Sequence, residues 1–145
     1  MSEQEKWNFI NALDEELLLG GVILSEWSAF LARDAEMAFC AGANLAAILA
    51  AQAAIEAHLR YEYFEARQTK GWGLYRLLEE APLPGDLRDD LTQLRHFRNR
   101  WVHVQDPTQD ANLLEKPAYH RAELEEMAKM AIKSMLRVFY MEQWV

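Results

Sequence analysis

The sequence predicts an all-α fold, an up-and-down bundle of four to five helices. Apolar residues recur three and four positions apart along nearly the whole chain, which is helical spacing. No stretch alternates in the manner of a strand. The connections are short and marked by Gly or Pro, at Gly20-Gly21, Gly71-Trp72-Gly73 and Pro82-Leu83-Pro84-Gly85. Short connections between long helices favour neighbours that run antiparallel. At 145 residues, 51% of them hydrophobic, the chain is expected to form one domain over 1–145 with a core that needs no staples.

Residues 3–32 read as helix, weakly interrupted at Gly20-Gly21. Phe9, Ile10, Leu13 and Leu17 form one apolar stripe; Val22, Ile23, Trp27, Phe30 and Leu31 form a second. The adjacent Glu15 and Glu16 are expected on a solvated face. Residues 34–68 give the longest helical pattern, and Met37 to Ile55 carries no charge. Gly42, Asn44 and Gln52 interrupt that run, and Glu56, His58 and Arg60 follow it, so a central packing helix is expected and not a membrane span. Gly42, Ala46, Ala50 and Ala54 lie four apart, a flat ridge that lets a partner helix approach. Glu56 sits among apolar neighbours and is either the counter-charge of a partly buried arginine or an ordinary exposed ion-pairing residue. His58 reads as surface or core filler.

A short helix is expected over 74–81. After the two prolines a longer one starts with Asp86 as N-cap and Asp89 three residues on, and runs to about Val104. Residues 105–117 contain Asp106-Pro107 and Lys116-Pro117 and read as a long loop that leaves directly from His103. The last helix, 119–144, places Leu124, Met127, Ala131, Met135, Val138 and Met141 on one core-facing side.

Charge narrows the function. A formal net charge of -8 and a pI near 5.0 argue against a protein that coats long nucleic acid, because that affinity rests on cations releasing counterions. One cysteine, Cys40, excludes an internal disulfide and is expected to be a small buried hydrophobe in a reducing compartment. Residues 1–7 lack the basic and apolar pattern of an export signal, so a cytoplasmic protein without membrane attachment is expected. Four histidines and one cysteine show no zinc spacing, and neither metal nor cofactor is expected.

One segment departs from this plain helical picture. Between Arg95 and His103 stand three arginines, two histidines and no acid. Arg98 falls inside the apolar stripe of Leu87, Leu91, Leu94, Trp101 and Val102, where a guanidinium is expensive unless a carboxylate, a phosphate or solvent meets it. Asn99 and His103, four apart, share a neighbouring face. Imidazole exchanges a proton near neutrality, guanidinium grips phosphate oxygens in a fork, and an amide orients either of them. The set suits metal-free cleavage of RNA: a base takes the ribose 2′-hydroxyl proton, the oxygen attacks the adjacent phosphorus, and a cation stabilises the developing charge.

Arg98-Asn99-Arg100-Trp101-Val102-His103 resembles the Arg-x4-6-His signature of the HEPN superfamily, in its form with a polar residue straight after the arginine. The preceding Leu94-Arg95-His96-Phe97, the Ala-rich run into Ala54-Ile55-Glu56 and the all-helical length extend the likeness over most of the chain. The resemblance implies a helical bundle that dimerises with two signatures facing across one cleft. It also implies a metal-independent endoribonuclease of the toxin or phage-defence kind that leaves a 2′,3′-cyclic phosphate on tRNA or mRNA. Arg98 and His103 would then be the catalytic pair and Asn99 the positioning residue, with Arg95, His96 and Arg100 holding RNA phosphates and Glu56 behind them. A cognate antitoxin or nucleotidyltransferase-type partner would belong to such a system. Some toxin members carry a tyrosine two residues after the histidine, which the antitoxin modifies; here that position is Gln105. Other members do not cleave, and the alternative implied is a dimeric module that binds a nucleotide or a protein.

Overall fold

Capping chemistry sets the helix boundaries more closely than the apolar pattern does. The computed structural model describes residues 1–108 and 113–144. Among them are six helices and no strand: α1 (Glu3–Leu17), α2 (Glu26–Cys40), α3 (Asn44–Tyr63), α4 (Leu74–Glu80), α5 (Gly85–Val102) and α6 (Pro117–Phe139). The architecture is an all-α bundle, with one more helix than expected. No helix among the described residues is long and apolar enough to cross a membrane.

Ser2 opens α1 with a capping box, its hydroxyl accepting from the Glu5 N–H while the Glu5 carboxylate accepts from the Ser2 N–H. The helix expected over 3–32 is in fact two helices. α1 ends at Leu17, and the connection to Ser25 is fixed from the far end of the chain. Gln143 binds the Leu19 and Gly20 amides and the Leu17 carbonyl, and Gly21 exchanges two backbone hydrogen bonds with Trp144. Gly21 is required there, because a Cβ would lie 2.7 Å from the Trp144 ring. Ser25 then caps α2 through the Ser28 N–H.

The helix expected over 34–68 is also divided. α2 stops at Cys40 in a Schellman arrangement: the Gly42 N–H donates to Phe39 O at 3.1 Å and the Ala43 N–H to Ala38 O at 2.9 Å, with Gly42 at φ +84°. Gly42 therefore ends a helix instead of belonging to a packing ridge, and Ala46 is exposed. Of the expected ridge Ala54 is fully buried, and close approach adds Ala47 and Ala51, also fully buried, as α3 packs between α2 and α6. Cys40 is buried as expected, and His58 is core, its ring edge-on to Phe139 at 5.1 Å.

The second apolar stripe is a larger correction. α2 turns Ser28, Ala32, Ala35 and Phe39 inward and leaves Trp27 and Phe30 exposed, as is Ile23 in the connection before it. Small residues at 28, 32 and 35 bring α2 close to α3, so Trp27 and Phe30 are left outside while Phe39 fills the core. In α6, Ala131, Met135 and Val138 are buried as expected, with Leu124 and Met127, and Met141 just past its end, packed at the core edge. This helix starts at Pro117, a residue preset for a first turn, and ends at Phe139.

Candidate functional site

α5 carries the basic segment, and three neighbours fix it. Leu87, Leu91, Leu94 and Phe97 point into the core. From α3, the buried Gln52 donates through Nε2 to Leu94 O at 2.8 Å. From α6, Arg137 reaches Asp86 at 2.6 Å and Asp90 at 3.2 Å. Arg88 of α5 itself donates to Leu78 O and Ala81 O at the end of α4. Asp86 is thus not the N-cap: the helix begins at Gly85 after Pro84, and the Asp86 carboxylate, held below its usual range by the Arg137 hydrogen bond, ties α5 to α6.

The other end is left open. α5 finishes at Val102, two residues before the expected end, and His103 is its C-cap, with its N–H on Asn99 O at 3.0 Å and its side chain exposed. Phe97 takes the core position after Leu94, Trp101 is half-buried against it at 6.5 Å between rings, and Val102 stands in solvent. Arg98 is half-buried; its Nη2 donates to Asn99 Oδ1 at 3.1 Å, and its Nε is buried with no hydrogen-bond partner among the described residues. Arg95, one turn back, likewise has an unpartnered buried Nε, and its guanidinium lies over the Tyr75 ring at 5.0 Å. Among the described residues no carboxylate pairs with either arginine, so the charge is held by neighbours without being neutralised. The partial negative charge at a helix C-terminus favours cations in this turn, by about 0.3–1 kcal/mol each.

Arg100 is engaged differently. It pairs with Glu123 at 3.2 Å and lies over Phe97 at 4.9 Å, and with His96 it borders an open groove that also includes Gln93 and Met127. Glu56 does not join the site: its partner is Arg60, at 2.9 Å one turn along α3. It is the counter-charge of a partly buried arginine, but that arginine is Arg60 and not Arg98. The structure therefore gathers Arg98, Asn99 and the C-cap His103 at one helix end, puts Arg95 toward α4 and His96 with Arg100 toward α6, and leaves Glu56 elsewhere. Part of the loop expected over 105–117, residues 109–112, lies outside the described residues. Among the described residues no three His, Cys, Asp or Glu side chains converge as metal ligands.

Gln52 and Tyr75 also hold this segment, through Leu94 O and under the Arg95 guanidinium, and neither is predicted to from the sequence. An amide within an alanine-rich run was the available sign for Gln52; nothing local marks Tyr75, since its contact with Arg95 arises only when α4 docks on α5.

Comparison with protein-family models, curated proteins and solved structures gives no match. The likeness to the HEPN superfamily therefore rests on the residues of α5 and their setting.

Proposed function

We propose that the protein is a metal-independent endoribonuclease whose active site is shared by two copies of the chain. The observation that carries this reading is the Arg98 guanidinium, which no carboxylate pairs among the described residues, held by Asn99 at the exposed end of α5 where His103 caps the helix. Asn99 restricts the fork, so that Arg98 meets two phosphate oxygens with little further loss of side-chain freedom. Neutral His103 takes the 2′-hydroxyl proton, O2′ attacks phosphorus, and the P–O5′ bond breaks. The products are a 2′,3′-cyclic phosphate and a 5′-hydroxyl, the departing oxygen taking its proton from the second copy's protonated His103. Arg98 stabilises the charge that grows on the phosphoryl oxygens. Arg95, His96 and Arg100 hold flanking phosphates, Arg100 exchanging its Glu123 carboxylate for one.

Val102 and Val104, both exposed on either side of His103, support pairing of two copies along this end. Such an activity requires restraint in the cell, and an antitoxin-type or nucleotidyltransferase-type partner would supply it by a route other than modifying position 105.

The test is cleavage of a mixed tRNA and mRNA pool by the purified protein in EDTA. His103→Ala should lose about 10²- to 10⁴-fold in rate, the usual worth of positioned acid–base catalysis. Intact RNA after incubation with the native sequence, or equal cleavage by the His103→Ala variant, contradicts the proposal. The alternative of a non-cleaving binding module predicts the first of those results together with a ligand lost on Arg98→Ala.

A further inference from the structure

Away from the Arg98 end, Trp27 of α2 and Tyr61 and Phe64 at the end of α3 line an open groove of about 870 Å³, with Arg60, Arg67 and Lys70 among its other lining residues. Trp27 is 77% and Tyr61 52% exposed, an unusual outlay of aromatic surface on water. Arg60 is paired with Glu56, but among the described residues Arg67 and Lys70 have no ion pair. The groove runs into the segment that leads to α4. Arg60 donates to the carbonyls of Thr69 and Trp72, and the Trp72 ring meets Phe64 at 5.3 Å.

Beyond Trp72 the alternation of ring and cation continues. The Arg76 guanidinium lies over Trp72 at 4.1 Å, and Arg95 lies over Tyr75 at 5.0 Å, with Tyr75 itself 59% exposed. Arg98 follows Arg95 by one helical turn. From Arg60 to Arg76 four cations stand against two carboxylates, Glu62 and Glu65, in a chain whose net charge is -8. Flat π-faces with cations between them fit a flexible polyanion with exposed bases: each ring offers a stacking platform, and each cation a phosphate contact. A duplex hides its bases and would use only the cations.

We infer that Trp27, Tyr61, Arg67, Lys70, Trp72 and Arg76 form a track that binds unpaired RNA and leads it past Tyr75–Arg95 to Arg98. The inference rests on the ribonuclease reading and specifies its substrate as single-stranded RNA that extends well beyond the cleaved bond. The track makes affinity depend on stacking, and so on strand state more than on sequence.

Fluorescence anisotropy of a labelled oligouridylate, with the His103→Ala protein so that the strand survives, tests it. Trp27→Ala and Tyr61→Ala should each weaken binding roughly 5- to 100-fold, with Trp27→Phe and Tyr61→Phe restoring most of it. Both side chains are largely solvent-facing, so the fold is retained. Arg67→Ala with Lys70→Ala should flatten the dependence of log affinity on log salt by about 1.4, two phosphate contacts on a single strand. Duplex RNA should bind more weakly and be indifferent to the aromatic variants. The inference is overturned if the aromatic variants bind the oligouridylate as the parent does, or if they lose an acidic, apolar peptide and not RNA. Failure of the ribonuclease reading looks different: the native sequence would not cleave, while binding and its loss in the variants would persist and uphold the track.

Discussion

Arg98 and Glu36 are charged groups that the fold leaves in unequal company. Among the described residues the Arg98 fork hydrogen-bonds only the Asn99 amide oxygen, whereas a lysine at 98 would keep the charge and lose the planar pair of donors. Arg98→Lys should therefore lower cleavage by about 10²-fold with the melting temperature little changed, read from initial rates beside a thermal melt. Glu36 is shifted by burial first and then by Asp14, whose carboxylate accepts from Tyr140 Oη at 2.7 Å; its pKa rises from 4.5 to about 7. Below pH 4.5 the group is protonated in folded and unfolded chains alike. Between 4.5 and 7 the folded chain keeps a proton that the unfolded one has released, so this contribution to stability declines as pH rises. His58 acts in the other direction, burial lowering its pKa from 6.5, so that its contribution is lost as pH falls. Glu36→Gln isolates the first effect: the variant should match the parent near pH 4.5 and exceed it at pH 8 by roughly 1–2 kcal/mol, the partial exposure of the site reducing the full shift. Paired melts at the two pH values measure it, and equal stability at pH 8 contradicts it.

At the scale of elements, α6 and the first three turns of α5 are legible because their apolar residues keep helical spacing along the core-facing side, whereas at the end of α5 the stripe passes to Phe97 and leaves Val102 in solvent. α2 is not legible. Phe39 apart, its inward residues are small while the large Trp27 and Phe30 face outward, so hydrophobicity marks the wrong face, and only the packing against α3 reveals that Ser28, Ala32 and Ala35 belong inside. Gly42 fits the four-residue spacing of a ridge in the sequence; its meaning as a stop depends on a positive φ that no apolar pattern encodes. The candidate site was more readable, since Arg98, Asn99 and His103 lie within six residues on one helix and its cap. Glu56 is an ion-pairing residue, one of the two readings its sequence allows, but its partner is Arg60 on its own helix and not a residue of the site. Gly42→Ala should destabilise the fold by about 1 kcal/mol through the strained left-handed residue, a fall in melting temperature of roughly 3–5 °C. Gly21→Ala should displace the Trp144 ring and free the 18–25 connection, seen as faster amide exchange at Gly20 and Gly21. A Gly42→Ala protein as stable as the parent would overturn the stop assigned to Gly42.

For the molecule as a whole, a net charge of -8 repels a polyanion, while Arg67, Lys70, Arg76, Arg95 and Arg98, without ion pairs among the described residues, give it a region of attraction on α5 and the 60–76 segment. The proposed pairing uses the same end of α5, where Val102 is exposed beside the His103 cap. Val102→Glu should therefore give a monomer by sedimentation and abolish cleavage, while leaving oligouridylate binding on each chain in place. A variant that stays dimeric would place the contact on another face.

The most direct measurement is the chemistry of the RNA ends made in cells that express the native sequence or the His103→Ala variant. The native sequence alone should give 2′,3′-cyclic phosphate ends with matching 5′-hydroxyls, together with arrested growth. Identical RNA ends and growth in the two strains would contradict it.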